Sequence, residues 1–307
     1  MLTLSGLRAF VAVIETQSFT RAATQLNATQ SGISQQIARL ERNLGVPLIL
    51  RDTKGAVTTP AGKKLYQLSV RIIRDLAETE TAIRNFDQGI SGSIRLGLMP
   101  AMTRSLSGPV QRRFMTDHPN VNVIVKELVS SDLIKEVAAG RIDLGIVPTF
   151  NAPDAIRVYP VGNTPEVLVH SGRRHKDHMK AVNLTELPPL RIILQSSGNI
   201  RRETILAHLK SAGVEIVEIL DLDSMFGTLE FVKNSNYVTI LPSIMMNSEI
   251  ENAELCVRPI YRSNLDLELI AIEPSSREQS LIAPILRDGF SQTIADFNYK
   301  LINYRQS

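Results

Sequence analysis

Apolar residues recur at helical intervals through the first quarter of the chain, and strand-like and helix-like stretches alternate beyond it. Leu4, Leu7, Phe10, Val11 and Ile14 fall on one side of a first helix. Phe19, Ala22, Ala23 and Leu26 define a second, with Ser18 placed to cap its N-terminus. Asn27-Ala28 breaks the pattern and Thr29 can cap a third helix, whose stripe is Ile33, Ile37, Leu40 and Leu44. Gly45 and Pro47 end it. At about 100° per residue, Ser31, Gln35, Ala38 and Arg42 lie opposite that stripe. Leu48 to Gly62 then reads as a short hairpin with Arg51, Lys54 and Gly55 between apolar arms.

From Pro60 to Asp87 the spacing becomes four-three: Leu65, Ser69, Ile72, Leu76, Thr79, Ile83 and Phe86, with charged residues between them. No apolar partner segment is evident for this seam, which suits pairing with a second copy. Gln88 to Ser93, holding two glycines and two serines, reads as a hinge. Beyond it the order is strand 94–99, helix 105–117, strand 121–126, helix 132–139 and strand 143–147. A second set follows: strands at 166–170 and 191–194, a helix at 200–212, a strand at 214–220, a helix from Met225 and a strand at 237–241. The chain returns at 267–272 and finishes in a helix at 281–299. This alternation predicts two α/β lobes with largely parallel strands, the chain crossing between them near Val161 and Asn264.

A helix, a tight turn and a second helix with small polar side chains outward is a helix-turn-helix pattern, suited to base edges and phosphates in a major groove. Taken alone it equally describes a two-helix corner of a globular core. The preceding helix and the following basic hairpin favour the first reading. The run FVAVIETQSFTRAATQLNATQSGISQQIARLERNLGVPLILRDTKGAVTTPAG resembles the DNA-binding domain of LysR-type transcriptional regulators, with Phe10, Ser18, Phe19, Ala22, Ala23, Leu26, Gln30, Leu40, Glu41, Gly45, Pro47, Leu48, Arg51, Thr59 and Gly62 at the family's offsets. Ser31 stands where the family usually has proline, and Gln35 where arginine is common. The resemblance implies a winged helix-turn-helix domain over 1–60 and a dimerising linker helix and hinge over 61–92. It also implies a two-lobe, periplasmic-binding-protein-like α/β effector domain, with one lobe at 93–161 plus 268–307 and the other at 162–267. Thr29, Gln30, Ser31, Ser34 and Gln35 are the expected groove residues, Arg51 and Lys54 the expected phosphate contacts, and Ser18 and Arg39 complete the DNA-facing set.

Two linked α/β lobes hold a ligand between them, at strand C-termini and helix N-termini. The segments expected there are Pro100 to Thr103, Ser130-Ser131, Gln195 to Asn199 and Thr239 to Ser243. Small hydroxyls and amides at helix starts favour a carboxylate or other anion, although such residues are also ordinary caps. The candidate effector contacts are Ala101, Met102, Thr103, Ser130, Ser131, Ser196, Ser197, Asn199, Arg202 and Thr239. Ser130 and Ser196 match effector-binding positions of the resembled family, whereas Ala101 replaces a frequent serine or threonine. Arg202 reads either as a charge partner for the ligand or as a solvated surface arginine.

Charge agrees with a DNA-binding N-terminus. The chain of 307 residues has a net charge of +3. In residues 1–60 six cations (Arg8, Arg21, Arg39, Arg42, Arg51, Lys54) face three anions (Glu15, Glu41, Asp52), so the excess is local. The single cysteine, Cys256, excludes an intramolecular disulfide framework and reads as a small buried hydrophobe. No P-loop, G-x-S-x-G, G-x-G-x-x-G or H-E-x-x-H is present, so no catalytic role, cofactor or metal is expected. The histidines of HSGRRHKDHM are interleaved with Arg173, Arg174 and Lys176, which describes an exposed basic loop better than a metal site. The start of the chain lacks the continuous apolar core of a signal peptide. A cytoplasmic protein is therefore expected, dimeric or a dimer of dimers, binding double-stranded DNA and a small organic effector, with RNA polymerase as a further partner and no membrane association. The rival reading is a transporter's solute-binding protein, which shares the two-lobe plan but neither the DNA-binding segment nor the missing export signal.

Overall fold

The computed structural model describes residues 1–52, 55–84, 90–197, 199–252, 254–261, 263–276 and 280–304. The chain divides into two compact units, Met1–Gly92 and Ser93–Ser307.

In the first unit, α1 (Leu4–Thr16), α2 (Phe19–Gln25) and α3 (Gln30–Leu44) are followed by the hairpin β1 (Ile49–Asp52) and β2 (Gly55–Thr58), then by α4 (Pro60–Arg84). Each of the first three helices starts on a side-chain cap: Thr3, Ser18 and Thr29 accept from Gly6, Arg21 and Gly32 N–H respectively. Asn27, in the left-handed region at φ 51°, turns the chain between α2 and α3. The core is Leu7, Phe10, Val13, Ala22, Ala23, Ile33, Ile37, Leu40 and Leu48, each fully buried aliphatic contributing about 1.5–3 kcal/mol. Leu44, expected in the stripe, is 37% exposed, at the last position of α3.

The linker helix is only partly without a partner in its own domain, which corrects the expectation from spacing. Leu65, Tyr66 and Ile73 pack against the three-helix core, Ser69 is buried, and α1 supplies the covering surface. Leu68, Ile72 and Ile83 remain exposed, Ile83 at 69%. Phe86, Asp87 and the hinge residues Gln88 and Gly89 lie outside the described residues.

The second unit is built on a nine-stranded sheet in the order β4-β3-β5-β11-β6-β9-β7-β8, with β10 pairing β6 off this path. The first lobe contributes β3 (Gly92–Leu98), α5 (Pro100–Met102), a π-helical turn (Thr103–Ser107), α6 (Gly108–Asp117), β4 (Val121–Glu127), α7 (Ser130–Ala138) and β5 (Leu144–Pro148). β6 (Ile156–Ser171) then crosses to the second lobe. That lobe holds β7 (Leu190–Leu194), α8 (Ile200–Ser211), β8 (Ile216–Asp221), α9 (Met225–Lys233) and β9 (Val238–Pro242). A 3-10 turn (Ser243–Met246), α10 (Asn247–Asn252) and β10 (Leu255–Pro259) follow. β11 (Asp266–Pro274) returns, and α11 (Ile282–Tyr304) closes the first lobe.

The sheet is mixed. β3 runs parallel to β5, and β7 parallel to both β8 and β9, whereas the crossing strands β6 and β11 pair antiparallel with each other and with β9 and β5. The register between them slips at Leu269/Ile270, opposite Gly162, whose φ of +154° and approach to Ile294 of α11 suit only glycine. The 105–117 helix expected from spacing starts earlier, at Pro100, and passes through the π turn. The apolar stretch around Cys256 is a strand, β10, with Cys256 buried opposite His170.

Candidate functional site

Helix α3 splits cleanly into two faces. Ile33, Ile37 and Leu40 are buried, while Thr29, Gln30, Ser31, Gln35, Ala38, Arg39 and Arg42 are exposed and Ser34 half-exposed. The contacts on the outer face are local: Thr29 Oγ1 to Ser31 Oγ at 3.2 Å, and Gln30 Nε2 donating to Ser34 Oγ at 3.4 Å. Ser18 is engaged as the cap of α2, its Oγ accepting from Arg21 N–H at 3.3 Å. Glu41 ties α3 to the hairpin, its Oε1 accepting from Leu48 N–H at 2.8 Å and Ile49 N–H at 3.1 Å. Thr59 Oγ1 donates to Pro47 O and accepts from Gly62 N–H, joining the hairpin to α4. A Cβ on Gly62 would lie 2.0 Å from Leu48 O, so this close approach requires glycine. Lys54 lies outside the described residues, and only the backbone of Arg51 is described.

In the second unit the three loops at the ends of β3, β7 and β9 each continue into a helix or turn. β7 is followed on one side by β8 and on the other by β9, and β3 is likewise flanked by β4 and β5. Each lobe therefore has the strand order at whose carboxyl ends α/β proteins bind ligands. Ser131, Ser197 and Asn199 are exposed, and Thr103, Ser130, Ser196 and Arg202 half-buried. Met102 and Thr239 are not surface groups: Met102 is wholly buried, and Thr239, 2% exposed, donates its hydroxyl to Ile193 O at 2.9 Å. Thr239 is the second residue of β9, paired with β6 on one side and β7 on the other, a depth its sequence segment does not reveal. Ala101 is buried as well.

The remaining polar residues of this region hold one another. Ser196 gives both its N–H (2.9 Å) and its Oγ–H (2.7 Å) to the carboxylate of Asp223, and these bonds, the backbone one first, hold the Asp223 carboxyl below its ordinary range. Asn199 Oδ1 caps α8 through Arg201 and Arg202 N–H. Arg202 pairs with Asp221 and Gln195 O. Arg201 forms a bidentate pair with the buried Glu166, 2.7 Å on each arm. Ser130 Oγ lies 2.7 Å from Met99 Sδ. Asp223, Glu166 and Arg201 were not among the expected site residues. Asp223 lies 27 residues from Ser196, a pairing that spacing along a chain cannot reveal.

A depression of about 470 Å³ opens where the chain crosses, lined by Pro148, Thr149, Ser263, Asn264, Asp266, Leu267 and Glu268. None of the expected effector residues lines it. Within the histidine segment, His170 belongs to β6 and Gly172–Asp177 form a 3-10 turn. His178 Nδ1 accepts from Val257 N–H at 3.1 Å and Nε2 faces Ile250 O at 3.2 Å, so both ring nitrogens are engaged. No helix among the described residues is long and apolar enough to cross a membrane.

A three-helix domain with a hairpin wing, joined to a two-lobe α/β domain, defines a class of DNA-binding regulator. The chain belongs to the LysR family of transcriptional regulators: residues 4–63 match the model of the bacterial regulatory helix-turn-helix protein, lysR family, and residues 87–292 match that of the LysR substrate binding domain. It is 31% identical over 143 residues, 47% of each chain, to the HTH-type transcriptional regulator PgrR of Escherichia coli (strain K12). It is 26% identical over 278 residues to the HTH-type transcriptional regulator BenM of Acinetobacter baylyi, 86% of this chain and 90% of that one. Full-length CbnR in complex with its target DNA superposes with a TM-score of 0.67 at 19% identity, over 96% of this chain and 100% of that one. The protein is thus a DNA-binding transcriptional regulator with an effector-binding domain, and not an enzyme.

Proposed function

We propose that Thr29, Gln30, Ser31, Ser34 and Gln35 read base edges in the major groove of an operator, with Ser18 and Arg39 beside them and Arg51 and Lys54 on phosphates. The observation that carries this reading is the division of α3 into a buried apolar face and an exposed face of short polar side chains. Arg21, Arg39 and Arg42, all exposed, supply charge for backbone contacts. Two copies pair through the exposed positions of α4, Leu68, Ile72 and Ile83, as a dimer or a dimer of dimers, so that both halves of a partly symmetric site are read. The functional divisions are 1–60 for DNA, 61–92 for pairing and the hinge, and 93–161 with 268–307 and 162–267 for the two effector lobes.

The effector is a small organic molecule seated at the carboxyl ends of the parallel strands, touching Thr103, Ser130, Ser131, Ser196, Ser197 and Asn199. Ala101, Met102 and Thr239 support that floor from beneath, and Arg202 acts through its pair with Asp221. An anionic effector takes the Ser196 donors that Asp223 now holds. The protein works in the cytoplasm, with RNA polymerase as the partner through which bound regulator changes transcription. The test is a salt titration of binding to DNA upstream of its own gene, beside a scrambled duplex, for wild type and for Ser31→Ala/Gln35→Ala. Preference for the upstream fragment at about 150 mM salt, reduced at least about tenfold in the double variant, supports the reading. Equal affinity of variant and wild type sinks the assignment of the groove face.

A further inference from the structure

Two segments far apart in sequence meet where the lobes adjoin. On the first lobe the π turn Thr103–Ser107 follows directly on α5, and on the second the 3-10 turn Ser243–Met246 follows directly on β9. The two turns lie against each other, with Met102, Leu106, Ile244 and Met246 all buried. At this junction Arg104 of the π turn reaches over to α10, its Nη2 donating to Ser248 Oγ and to Glu249 Oε1, each at 3.2 Å. Glu249 is only 7% exposed, and its second carboxylate oxygen accepts from Leu255 N–H at 3.3 Å.

We infer that Arg104 is a positioning residue that latches the two lobes together through Glu249, so that the strength of this contact sets how far the lobes open. Burial makes the contact consequential: a carboxylate withdrawn from water is costly to leave without its cation. The present arrangement of the lobes is thus the one in which Glu249 Oε1 keeps its guanidinium partner, and movement of either turn away from the other removes that contact and leaves Glu249 with Leu255 N–H and the charge of Lys233 in its own lobe. The π turn is the place for such movement. Its hydrogen bonds span one residue more than those of an α-helix, and the spare residue allows the register to shift without unfolding the helix. Both ends of the latch also connect directly to the strand ends assigned above to the effector: Thr103 begins the π turn, and Ser243 follows β9. A ligand pushing on either loop thus acts on the Arg104–Glu249 contact, two packed arrangements being favoured over a continuum. Only this trigger rests on the proposed effector seat; the latch itself does not.

Hydrogen exchange followed by mass spectrometry, on the full chain without any added ligand, tests the inference. In Arg104→Ala, amides of both 103–107 and 243–252 are expected to exchange about tenfold faster, with those of β3 and β7 at wild-type rates. Arg104→Lys, which keeps the charge, restores most of the protection. Acceleration confined to 103–107, or none at all, overturns the latch, because a local structural role would not reach a segment in the other lobe. If Arg104→Ala accelerates every segment and so fails to fold, Arg104→Gln takes its place with the same two criteria. A later failure of organic acids to alter exchange in either turn would count against the effector seat and leave the latch standing.

Discussion

The outer face of α3 and the loop after β7 carry the same kinds of side chain and use them in opposite ways. On α3, Thr29, Gln30, Ser31 and Ser34 make contacts only one turn or less along the chain, and Gln35 is exposed, so the helix presents them outward. After β7, Ser196 is held by Asp223, Asn199 by the start of α8, and Gln195 by Arg201. A polar residue on a regular helix has its direction fixed by periodicity alone. In a loop it has whatever partner the folded chain brings, so availability to a ligand depends on contacts distant in sequence.

That contrast can be broken at its scaffold or sharpened at its tips. The largest effect is expected for Gly62→Ala, which drives a methyl into the Leu48 carbonyl: a loss of about 3 kcal/mol in the first unit, seen as an early thermal transition with operator binding lost alongside it. A melt unchanged from wild type would show that the hairpin and α4 can separate freely. Glu41→Ala comes next. It strips Leu48 and Ile49 N–H of their acceptor, and about 1–3 kcal/mol is expected from chemical denaturation, with the midpoint shifted and the slope kept. The smallest effect is at the loop. Asp223, its carboxyl held low by Ser196, adds to stability above the unfolded carboxylate's range, and this is lost as pH falls through its lowered pKa. Ser196→Ala removes the hydroxyl bond and leaves the backbone one, so the Asp223 carboxyl should titrate higher but still below an ordinary aspartate. Carboxyl-carbon NMR reads this directly; an unmoved titration would mean the hydroxyl is turned elsewhere in solution.

The N-terminal domain was legible because its signals are local. Caps at Ser18 and Thr29, the Ile33-Ile37-Leu40 stripe and the Gly45 stop all act within a few residues of themselves. The alternation of strands and helices likewise gave the two-lobe plan. Depth and pairing were not legible. Nothing in a serine- and threonine-rich segment distinguishes exposed Ser197 from buried Thr239, because that depends on β9 lying between β6 and β7. The seam of α4 misled for a related reason: a four-three repeat fits a partner helix and a home domain equally, and α1 takes the first half of it. β10 was missed because its five residues carry no alternation, being buried on nearly every position beside β6.

The pairing of Ser171 with Leu255 has a consequence for engineering and for ancestry alike. Residues 172–254 start and end on the neighbouring antiparallel strands β6 and β10 and carry β7, β8 and β9 of the same sheet between them, so the bulk of the second lobe is one insertion whose two ends meet. Segments whose ends already touch can be exchanged or cut out at little cost in chain-closure entropy. A transplant of 172–254 from another family member would therefore replace half of a sensor in a single splice, leaving the crossing strands, the terminal helix and the DNA-reading unit untouched.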